Sequence, residues 1–253
     1  MKRLVILNTA EISIILPTYN ESKNIRGILD HIKKSFPSNL KLETIVVDDN
    51  SPDLTFKKVE DLMLKFKDQL FLLKRLKKEG LGTAYVAGFK WALKNKFNYV
   101  FEMDADLSHN PQDIKRILEP MLENNYDISI GSRYIKGINV VNWPLSRIIL
   151  SYTASLYVRF ITRMKIKDST SGYICYKKSV LDSIDLDNIK FTGYAFQIEM
   201  KYKSYLKNFK IIEVPIIFSD RKFGISKLNG SIISEAIFGV IAMRIKKIFN
   251  IKF

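Results

Sequence analysis

The sequence predicts an α/β fold: a mostly parallel, doubly wound sheet with helices on both faces. Segments with strand and helix patterns alternate five times between residues 11 and 132, and this alternation is typical of parallel β-α-β units. Short polar clusters follow the predicted strands at 17–21, 48–53, 104–109 and 131–134. Because ligands bind beyond the carboxyl ends of parallel strands, these clusters predict one functional edge of the sheet.

The predicted strands are short apolar runs, and the first of them is stopped by Pro17. They lie at 11–16, 42–48, 70–74, 99–103 and 127–132. The helices between them carry apolar residues at helical spacing, and they lie at 24–35, 55–66, 83–95 and 111–124. Gly80 and Gly82 lead into the third helix, and Pro111 stands in the first turn of the fourth, where proline is tolerated.

The pattern changes after residue 134. A long helix, apolar and aromatic with three arginines as its only charges, is predicted at 145–164. A strand is predicted at 210–218, and its proline indicates the edge of a sheet. The last helix, at 231–247, is apolar first and basic afterwards. We find no repeat and no linker-like composition, so we predict one domain at 1–230 and a C-terminal amphipathic basic helix at 231–253.

Composition sets limits on the class of protein. The single cysteine, Cys175, excludes an internal disulfide and fits a reducing, intracellular setting. We expect no signal peptide and no membrane-spanning helix, because the longest uncharged runs fall well short of about 20 residues. The net charge of +15 suits anionic lipid, phosphorylated substrates or nucleic acid. Evenly spread surface lysine is the alternative, and the absence of a nucleic-acid-binding motif argues against nucleic acid.

Two carboxylates one residue apart, Asp104 and Asp106, follow the strand at 99–103. Mg²⁺ and Mn²⁺ prefer oxygen ligands, and they often take only a few from the protein and the rest from water and substrate phosphates. The alternative is a turn or helix-cap aspartate, since Asp is common at both places. The other polar clusters on the same predicted edge favour a metal site.

Further polar residues could bind a nucleotide at this edge. Asp48, at the end of the second strand, can accept hydrogen bonds from a base or a ribose, or it can form an Asx turn. Arg133, Arg221 and Lys227 offer cations for phosphate oxygens, Arg as a planar fork and Lys as a point charge. For each of these cations, an exposed basic loop is the alternative.

Arg147 and Ser151 are four residues apart, so they share one face of the helix at 145–164. A cation and a hydroxyl on one face can grip a phosphate group. The alternative is a solvated arginine and a small core serine. The helix itself could pack on the sheet as core or lie in a membrane interface, and both possibilities stay open. For 245–253, where lysines alternate with Ile and Phe, we expect a membrane surface or a membrane partner.

The ordered motifs resemble those of family 2 glycosyltransferases, and in particular the dolichol-phosphate (polyprenyl-phosphate) mannosyltransferase group. The resemblance covers residues from about 11 to about 235. The D-x-D pair alone is weakly specific, whereas the ordered set is highly specific. The motifs are PTYNE (17–21), VVDDNSPD (46–53), GLGTAYVAGF (80–89), MDADLSHNP (103–111), GSRY (131–134), NWPLSR (142–147), TSGY (170–173) and FGISK (223–227).

The resemblance implies a GT-A fold, GDP-mannose as donor and dolichyl or another polyprenyl phosphate as lipid acceptor, with Mg²⁺ or Mn²⁺ as cofactor. It implies inverting transfer that forms β-linked polyprenyl-phosphate mannose, by an enzyme peripheral to the cytoplasmic face of a membrane. It leaves open whether small membrane subunits are partners. Two alternatives also stay open: a UDP-glucose or other nucleotide-sugar:polyprenyl-phosphate transferase, and a non-catalytic subunit of such an enzyme.

Carried over position by position, the resemblance implies roles for residues of this chain. The nucleoside pocket would comprise Pro17, Tyr19, Glu21, Val46 and Asp48. The metal–diphosphate centre would comprise Asp104, Ala105 through its backbone, Asp106 and Ser108. The phosphate clamp would comprise Arg133, Arg221 and Lys227, and the acceptor phosphate would meet Arg133, Arg147 and Ser151. Of these residues, we expect the catalytic ones to be Asp104, Asp106, Arg221 and Lys227.

The sequence departs from the family pattern in two places. Ile174 stands after the TSGY turn, where many relatives have an arginine or an aromatic residue, so a polar role there is in doubt. Several relatives also append transmembrane helices, which we do not expect in this chain. A phosphate nucleophile is already largely ionised at neutral pH, so we expect no dedicated general base. His109, beside the D-x-D pair, is then expected to serve the loop.

Overall fold

The computed structural model describes residues 10–36, 41–221 and 230–249. A seven-stranded sheet lies at its centre, with a two-stranded sheet beside it. The strands are β1 (Ile12–Thr18), β2 (Leu42–Asp48), β3 (Leu70–Lys74), β4 (Tyr99–Glu102), β5 (Ile128–Ser132), β6 (Val140–Val141), β7 (Ile174–Lys177), β8 (Ile211–Pro215) and β9 (Phe218–Ser219). The α-helices are α1 (Ile25–Ser35), α2 (Thr55–Phe66), α3 (Leu81–Lys94), α4 (Asp113–Glu123), α5 (Leu145–Thr162), α6 (Lys178–Ser183), α7 (Ala195–Leu206) and α8 (Gly230–Ile248).

The large sheet has the strand order β3-β2-β1-β4-β7-β5-β8. All neighbouring pairs are parallel except those of β7, which runs antiparallel to β4 and to β5. The predicted fold class, a mostly parallel sheet with helices on both faces, is therefore confirmed. Because six of the seven strands share one direction, the carboxyl ends of β1, β2, β4 and β5 meet at the same edge, as predicted.

Two apolar cores, one on each face of the sheet, follow from the alternation of side chains along the strands. In β1, for example, Ile14 and Leu16 pack into the core beneath α1, α2 and α4. Ile15 points the other way, into the core beneath α3, α6 and α7. The core beneath α1, α2 and α4 is closed by amphipathic helices whose polar faces meet water, whereas α7, on the other face of the sheet, is buried from Ala195 to Ser204.

The structure contains elements that the sequence analysis did not predict. Strand β7 and helices α6 and α7 all lie between residues 165 and 209, where we predicted no helix or strand. The four residues of β7 are too few to show a period, and neighbouring strands bury them on both sides. The predicted strand at 210–218 divides into β8 and β9, and β8 does end the large sheet, as its proline indicated.

The C-terminal helix α8 packs against α5 and α7. Its Val240 and Met243 are buried and belong to the same core as α3 and α7. The proposed division between 1–230 and 231–253 stays a prediction. Within the described residues, no helix combines the length and the apolar character needed to cross a bilayer.

Helix α3 approaches the sheet closely at Gly88, and this contact gives a testable prediction. A Cβ atom at Gly88 would lie 2.5 Å from Cγ2 of Ile15, which is fully buried and cannot move aside. We expect Gly88→Ala to lower the free energy of unfolding by about 1–3 kcal/mol, the usual cost of overpacking. Urea denaturation would measure it.

The control for this experiment is Gly27→Ala in α1, where the added Cβ would meet Leu107 at an ordinary 3.8 Å. Alanine is the better helix former by about 1 kcal/mol, so this variant should be neutral or stabilised. Equal stability of the two variants would contradict the close approach of α3 to β1.

Candidate active site

The turn after β4 carries the two carboxylates of the D-x-D pair. Leu107 adopts a left-handed backbone conformation with φ +67°, which folds the chain back at this point. The backbone N–H of Ser108 then donates to Oδ1 of Asp106 at 3.0 Å. The backbone N–H of Asp104 donates to Nδ1 of His109 at 3.0 Å. These bonds fix the turn and hold both carboxylates at the edge of the sheet.

His109 is the anchor of this turn. It is buried, its ring is stacked on Tyr173 at 4.7 Å between centroids, and it meets Phe218 edge-on at 5.3 Å. Burial lowers the pKa of His109 to about 4, so the imidazole is neutral at pH 7. Because Nδ1 accepts the Asp104 N–H, this nitrogen cannot also accept a proton from a substrate.

Asp104 and Asp106 present oxygen atoms toward a shared cavity. Oδ1 of Asp104 accepts from the Tyr85 hydroxyl at 3.4 Å, and its side chain is 36% exposed. Oδ2 of Asp106 lies 3.4 Å from Nη2 of Arg221. Carboxylate oxygens are the ligands that Mg²⁺ and Mn²⁺ prefer, so the donor chemistry fits such an ion. No group of three or more His, Cys, Asp or Glu side chains suited to a metal occurs in the described part of the chain, and a substrate would have to supply further ligands.

Arg133 is held by a buried ion pair at the end of β5. Its Nε and Nη2 donate to the two carboxylate oxygens of Asp168 at 2.8 and 2.6 Å, and its backbone N–H also donates to Asp168 at 2.9 Å. Burial alone would raise the pKa of Asp168, but Arg133 outweighs it and the pKa lies below its usual value. Burial likewise favours the neutral form of Arg133, but the attraction to the Asp168 carboxylate has the larger effect, so the pKa of Arg133 is raised. Arg133 is therefore a fixed cation.

Arg147 and Ser151 lie on α5, facing the same cavity. Nη1 of Arg147 donates to Oδ1 of Asp220 at 2.8 Å, and its guanidinium lies over the Trp143 ring at 4.0 Å. The hydroxyl of Ser151 accepts from the Tyr134 hydroxyl at 2.8 Å. The shared helix face predicted from their spacing is therefore present, and each side chain has a partner that orients it.

A cavity of about 440 Å³ brings these groups together. Its polar wall contains most of the predicted phosphate- and metal-binding residues: Asp104, Asp106, Arg133, Arg147, Ser151 and Arg221. The remaining wall is largely apolar, and it comes from α5, α7 and α8 through Leu150, Ala154, Tyr157, Val158, Ile198 and Ile237. The cavity therefore combines charged and apolar side chains in one lining.

The residues predicted for a nucleoside lie outside this cavity. Tyr19 is covered by Nζ of Lys78, 4.3 Å from the ring centroid, and the carboxylate of Glu21 accepts from Asn24 at 2.7 Å. Pro17 is the sixth residue of β1, next to Val47 of β2. These residues stand at the carboxyl ends of β1 and β2, on the same sheet edge as the D-x-D pair.

Two of the predicted nucleoside residues have side chains directed into the protein. The Val46 side chain is fully buried in the core beneath α1 and α2. The Asp48 carboxylate is fully buried and accepts from the Thr18 hydroxyl and from the Ser51 hydroxyl, each at 2.7 Å, and from the Ser51 N–H at 2.8 Å. The Asp48 carboxylate therefore braces the loop at 48–51 through the N–H of the third residue on, whereas an Asx turn, the alternative given for it, uses the N–H of the second.

The remaining predicted residues divide into two groups. Ala105 and Ser108 are buried beside the D-x-D carboxylates. Lys227 lies outside the described residues. The sequence analysis missed residues that the structure brings to the cavity or to its cations, namely Asp168, Tyr194, Gln197 and Asp220. Of these, Asp168 and Asp220 had a signal in the sequence, because Asp168 stands two residues before the TSGY motif and Asp220 directly precedes Arg221.

Comparison with known sequences identifies the family. Residues 13–185 match glycosyl transferase family 2. Polyprenol monophosphomannose synthase of Mycolicibacterium smegmatis is 41% identical over 227 residues, 90% of this chain and 84% of that protein. Undecaprenyl-phosphate mannosyltransferase of Micrococcus luteus is 39% identical over 89% of this chain and 90% of that protein. Dolichol-phosphate mannosyltransferase of Pyrococcus furiosus is 37% identical, and the match covers 61% of that protein.

Comparison with solved structures supports the same fold. Glucosyl-3-phosphoglycerate synthase from Mycobacterium tuberculosis, solved with Mn²⁺, UDP and glucosyl-3-phosphoglycerate, superposes with a TM-score of 0.68 at 16% identity, covering 95% of this chain and 81% of that one. At this identity the likeness concerns the fold, and the predicted GT-A type is confirmed. From its sequence match and its architecture together, the chain belongs to glycosyl transferase family 2 and is a glycosyltransferase.

Proposed function

We propose that this enzyme transfers mannose from GDP-mannose to a polyprenyl phosphate and forms polyprenyl-phosphate mannose. The observation that carries the proposal is the cavity in which the D-x-D carboxylates and three arginines are combined with a largely apolar wall. Relatives named for mannosyl transfer to polyprenyl, undecaprenyl and dolichyl phosphates support this choice of sugar and acceptor. The GDP donor is inferred from the family resemblance.

The charged and the apolar side chains of the cavity suit the two parts of a lipid phosphate. Arginines bind phosphate oxygens in bidentate geometry, and Arg147 reaches the cavity from the same helix that supplies Leu150, Ala154 and Val158. A hydrocarbon chain leaves water by burial against those apolar side chains, at roughly 25 cal/mol per Å². A water-soluble phosphate would gain nothing from that part of the wall.

A divalent cation, Mg²⁺ or Mn²⁺, would be held by Asp104 and Asp106, with Ser108 next to them. When bound, such an ion neutralises charge on the departing nucleoside diphosphate. Mn²⁺ is present with UDP in the solved structure of the M. tuberculosis synthase. Among the protein groups, Arg221 lies beside Asp106 and supplies a cation for the same diphosphate, and we infer the same role for Lys227.

The acceptor phosphate needs no general base, because its second pKa is about 6 and it is largely dianionic at neutral pH. The histidine nearest the D-x-D pair agrees with this requirement: His109 is buried, and its Nδ1 is already an acceptor. Arg133 and Arg147 would orient the phosphate. Direct in-line attack at the anomeric carbon would invert the configuration and give the β-linked product.

The nucleoside would lie over the carboxyl ends of β1 and β2, against Pro17, Tyr19 and Glu21. Since the Val46 side chain is in the core and the Asp48 carboxylate has its hydrogen bonds within the protein, we infer that both shape this pocket from behind. The backbone of Ala105 would meet the diphosphate.

We further propose that the enzyme is peripheral to the cytoplasmic face of a membrane, with α5 and α8 at the lipid interface. Large apolar side chains on these helices are exposed to water: Leu145, Ile149, Leu150, Leu156 and Phe160 on α5, and Ile237, Phe238, Ile241, Ile245 and Ile248 on α8. Lys246 and Lys247 stand in the last turn of α8, where they can meet anionic headgroups. Such a surface is typical of interfacial helices.

The proposed reaction can be tested directly. The protein is incubated with Mg²⁺ or Mn²⁺, a polyprenyl phosphate and, in parallel, GDP-mannose, UDP-glucose or UDP-GlcNAc, and the lipid product is identified by mass. We expect mannosyl transfer from GDP-mannose, lost on chelation and lowered at least about 100-fold in Asp106→Ala, because a transition-state charge interaction is removed.

Other outcomes of this assay would revise the proposal. Transfer from a UDP-sugar alone would overturn the donor, and an α-linked product would overturn the inverting mechanism. Transfer that withstands chelation would overturn the metal. Absence of transfer from every donor, with membranes supplied, would contradict the proposed activity of this chain by itself and implicate a membrane subunit.

The role of Arg147 in acceptor binding gives a second prediction. Arg147→Gln should raise the KM for polyprenyl phosphate about tenfold or more, since a charge-assisted hydrogen bond to phosphate is lost, while the KM for the donor stays within about twofold. Steady-state kinetics with each substrate varied separately would measure both. Arg116→Gln, on the opposite face of the sheet, is the control and should leave both constants unchanged. An equal rise in the donor KM would place Arg147 at the diphosphate instead.

Membrane association gives a third prediction. Phe160 and Phe238 are 69% and 71% exposed, and changing both to Ser should reduce flotation with liposomes that contain anionic lipid, because two large apolar anchors are lost. The matched control is Leu64→Ser on α2, which is 85% exposed on the opposite face of the molecule. Equal flotation of all three proteins would contradict the interfacial role of α5 and α8.

A further inference from the structure

The first turn of α7 presents two side chains to the cavity that none of the motifs contains. Tyr194 immediately precedes the helix and Gln197 follows three residues later, so the two share one face. Both line the cavity in which Asp104 and Asp106 stand. The electrostatic neighbours of the Tyr194 hydroxyl include Asp104, Asp106 and Arg221, which places this turn beside the D-x-D pair.

Gln197 is buried to an unusual degree for a polar residue with unused hydrogen-bonding capacity. Only 2% of it is exposed, yet neither its amide oxygen nor its amide nitrogen makes a hydrogen bond of full geometry. The amide acts as a hydrogen-bond donor toward the buried Glu102 carboxylate and lowers its pKa against the larger effect of burial, so the amide oxygen is the atom left without any partner. An unsatisfied buried amide costs about 1–3 kcal/mol, and such a group in a native structure calls for an explanation.

A glycine leaves this amide open toward the cavity. Gly172 belongs to the TSGY motif and also lines the cavity. A Cβ atom at Gly172 would lie 3.5 Å from Nε2 of Gln197, so any larger residue would cover the amide. The Lys201 ammonium donates to the carbonyls of Ser169 at 3.0 Å and Ser171 at 2.7 Å, and it thereby holds the backbone of the TSGY loop at this distance.

The other polar groups of the cavity are already engaged or suited to phosphate. Arg133 is paired with Asp168, Arg147 with Asp220, and Ser151 with Tyr134. A phosphate group offers only acceptors, and the arginines match it. The Gln197 amide both donates and accepts, as does the Tyr194 hydroxyl, which makes no hydrogen bond to another described residue. A sugar hydroxyl also donates and accepts, so it matches the Gln197 amide and the Tyr194 hydroxyl.

We propose that Gln197, with Tyr194, binds the hydroxyl groups of the transferred hexose and thereby selects the sugar of the donor. This inference rests on the proposed function, since it assigns the sugar-binding part of the same site. The amide would gain, on donor binding, the hydrogen bonds that it lacks in the protein alone. A site built to hydrogen-bond a hydroxyl discriminates strongly against a donor that lacks it or holds it elsewhere, because its polar groups are then left unpaired.

The test separates sugar recognition from nucleotide recognition. Binding of GDP and of GDP-mannose is measured by calorimetry, with UDP and UDP-glucose in parallel, for the wild type and for Gln197→Met, Tyr194→Phe and Gly172→Ala. We expect each variant to bind the free nucleoside diphosphate as the wild type does and to bind the sugar-bearing donor about tenfold or more weakly. The KM for polyprenyl phosphate should stay within about twofold.

Two features keep the test decisive if one variant folds poorly. Gly172→Ala adds a methyl group at ordinary contact distance and leaves every polar group of Gln197 and Glu102 in place. Gln69→Met, the same substitution outside the cavity and between α2 and β3, serves as the control and should match the wild type. Thermal melting of each variant identifies a general loss of structure, which would weaken free diphosphate and sugar donor alike.

The outcomes distinguish the inference from the proposed function. Equal losses for GDP and GDP-mannose, or no loss in any variant, would overturn the role of Gln197 while mannosyl transfer still stands. A rise confined to the KM for polyprenyl phosphate would assign Gln197 to acceptor binding. It would also overturn the proposed role of Gln197 in sugar recognition. If the wild type uses UDP-glucose instead, GDP-mannose is the wrong donor. The binding of UDP and of UDP-glucose to the variants then shows whether Gln197 recognises the sugar.

Discussion

The buried ion pair between Arg133 and Asp168 is the interaction on which the rest of the cavity depends. It joins the carboxyl end of β5 to the loop before β7 through two side-chain bonds and one backbone bond. The loop is tied in turn to β8, because the Glu213 carboxylate accepts the backbone N–H groups of Lys167 and Asp168, each at 2.8 Å. Removing one partner of such a pair costs about 3–5 kcal/mol, since the other charge stays buried.

An antiparallel strand in this otherwise parallel sheet contributes to the lining of the cavity. Strand β7 runs toward the opposite edge, so the loop that precedes it, at 168–173, starts at the edge where the carboxyl ends of β4 and β5 lie. The loop therefore brings Thr170 and Gly172 to the D-x-D turn. The loop at 168–173 is held by the Arg133–Asp168 ion pair, by the hydrogen bonds from the Lys201 ammonium and by the pairing of β7 with β4 and β5. These contacts fix the position of the polar residues that the loop brings to the cavity.

Local sequence patterns predicted much of this arrangement. They did not predict contacts between residues that are far apart in the sequence. The strand periods and the polar clusters placed Asp104, Asp106 and Arg133 on one edge, because parallel strands end together. Nothing local indicated that Asp168 would neutralise Arg133, 35 residues away, or that Thr18 and Ser51 would occupy the Asp48 carboxylate. Strand β7 was not predicted either, because its four residues form a strand through their pairing with β4 and β5 and show no local pattern.

The apolar surface of α5 and α8 makes physical sense only together with the cavity that these helices enclose. Both helices present apolar residues to the cavity, through Ala154 and Val158 on α5 and Ile237 on α8, and to water, through side chains such as Phe160 and Phe238. Ile237 belongs to both surfaces, since it lines the cavity and is 42% exposed. The Tyr157 hydroxyl on α5 donates to the Ile237 carbonyl of α8 at 2.9 Å, so the two helices are joined beside the cavity they line. In water, exposure of the apolar side chains on the outward faces is unfavourable. At the proposed bilayer interface the same faces would gain free energy by burial, and the proposed lipid acceptor, whose phosphate would meet Arg147, would reach the cavity along apolar contacts.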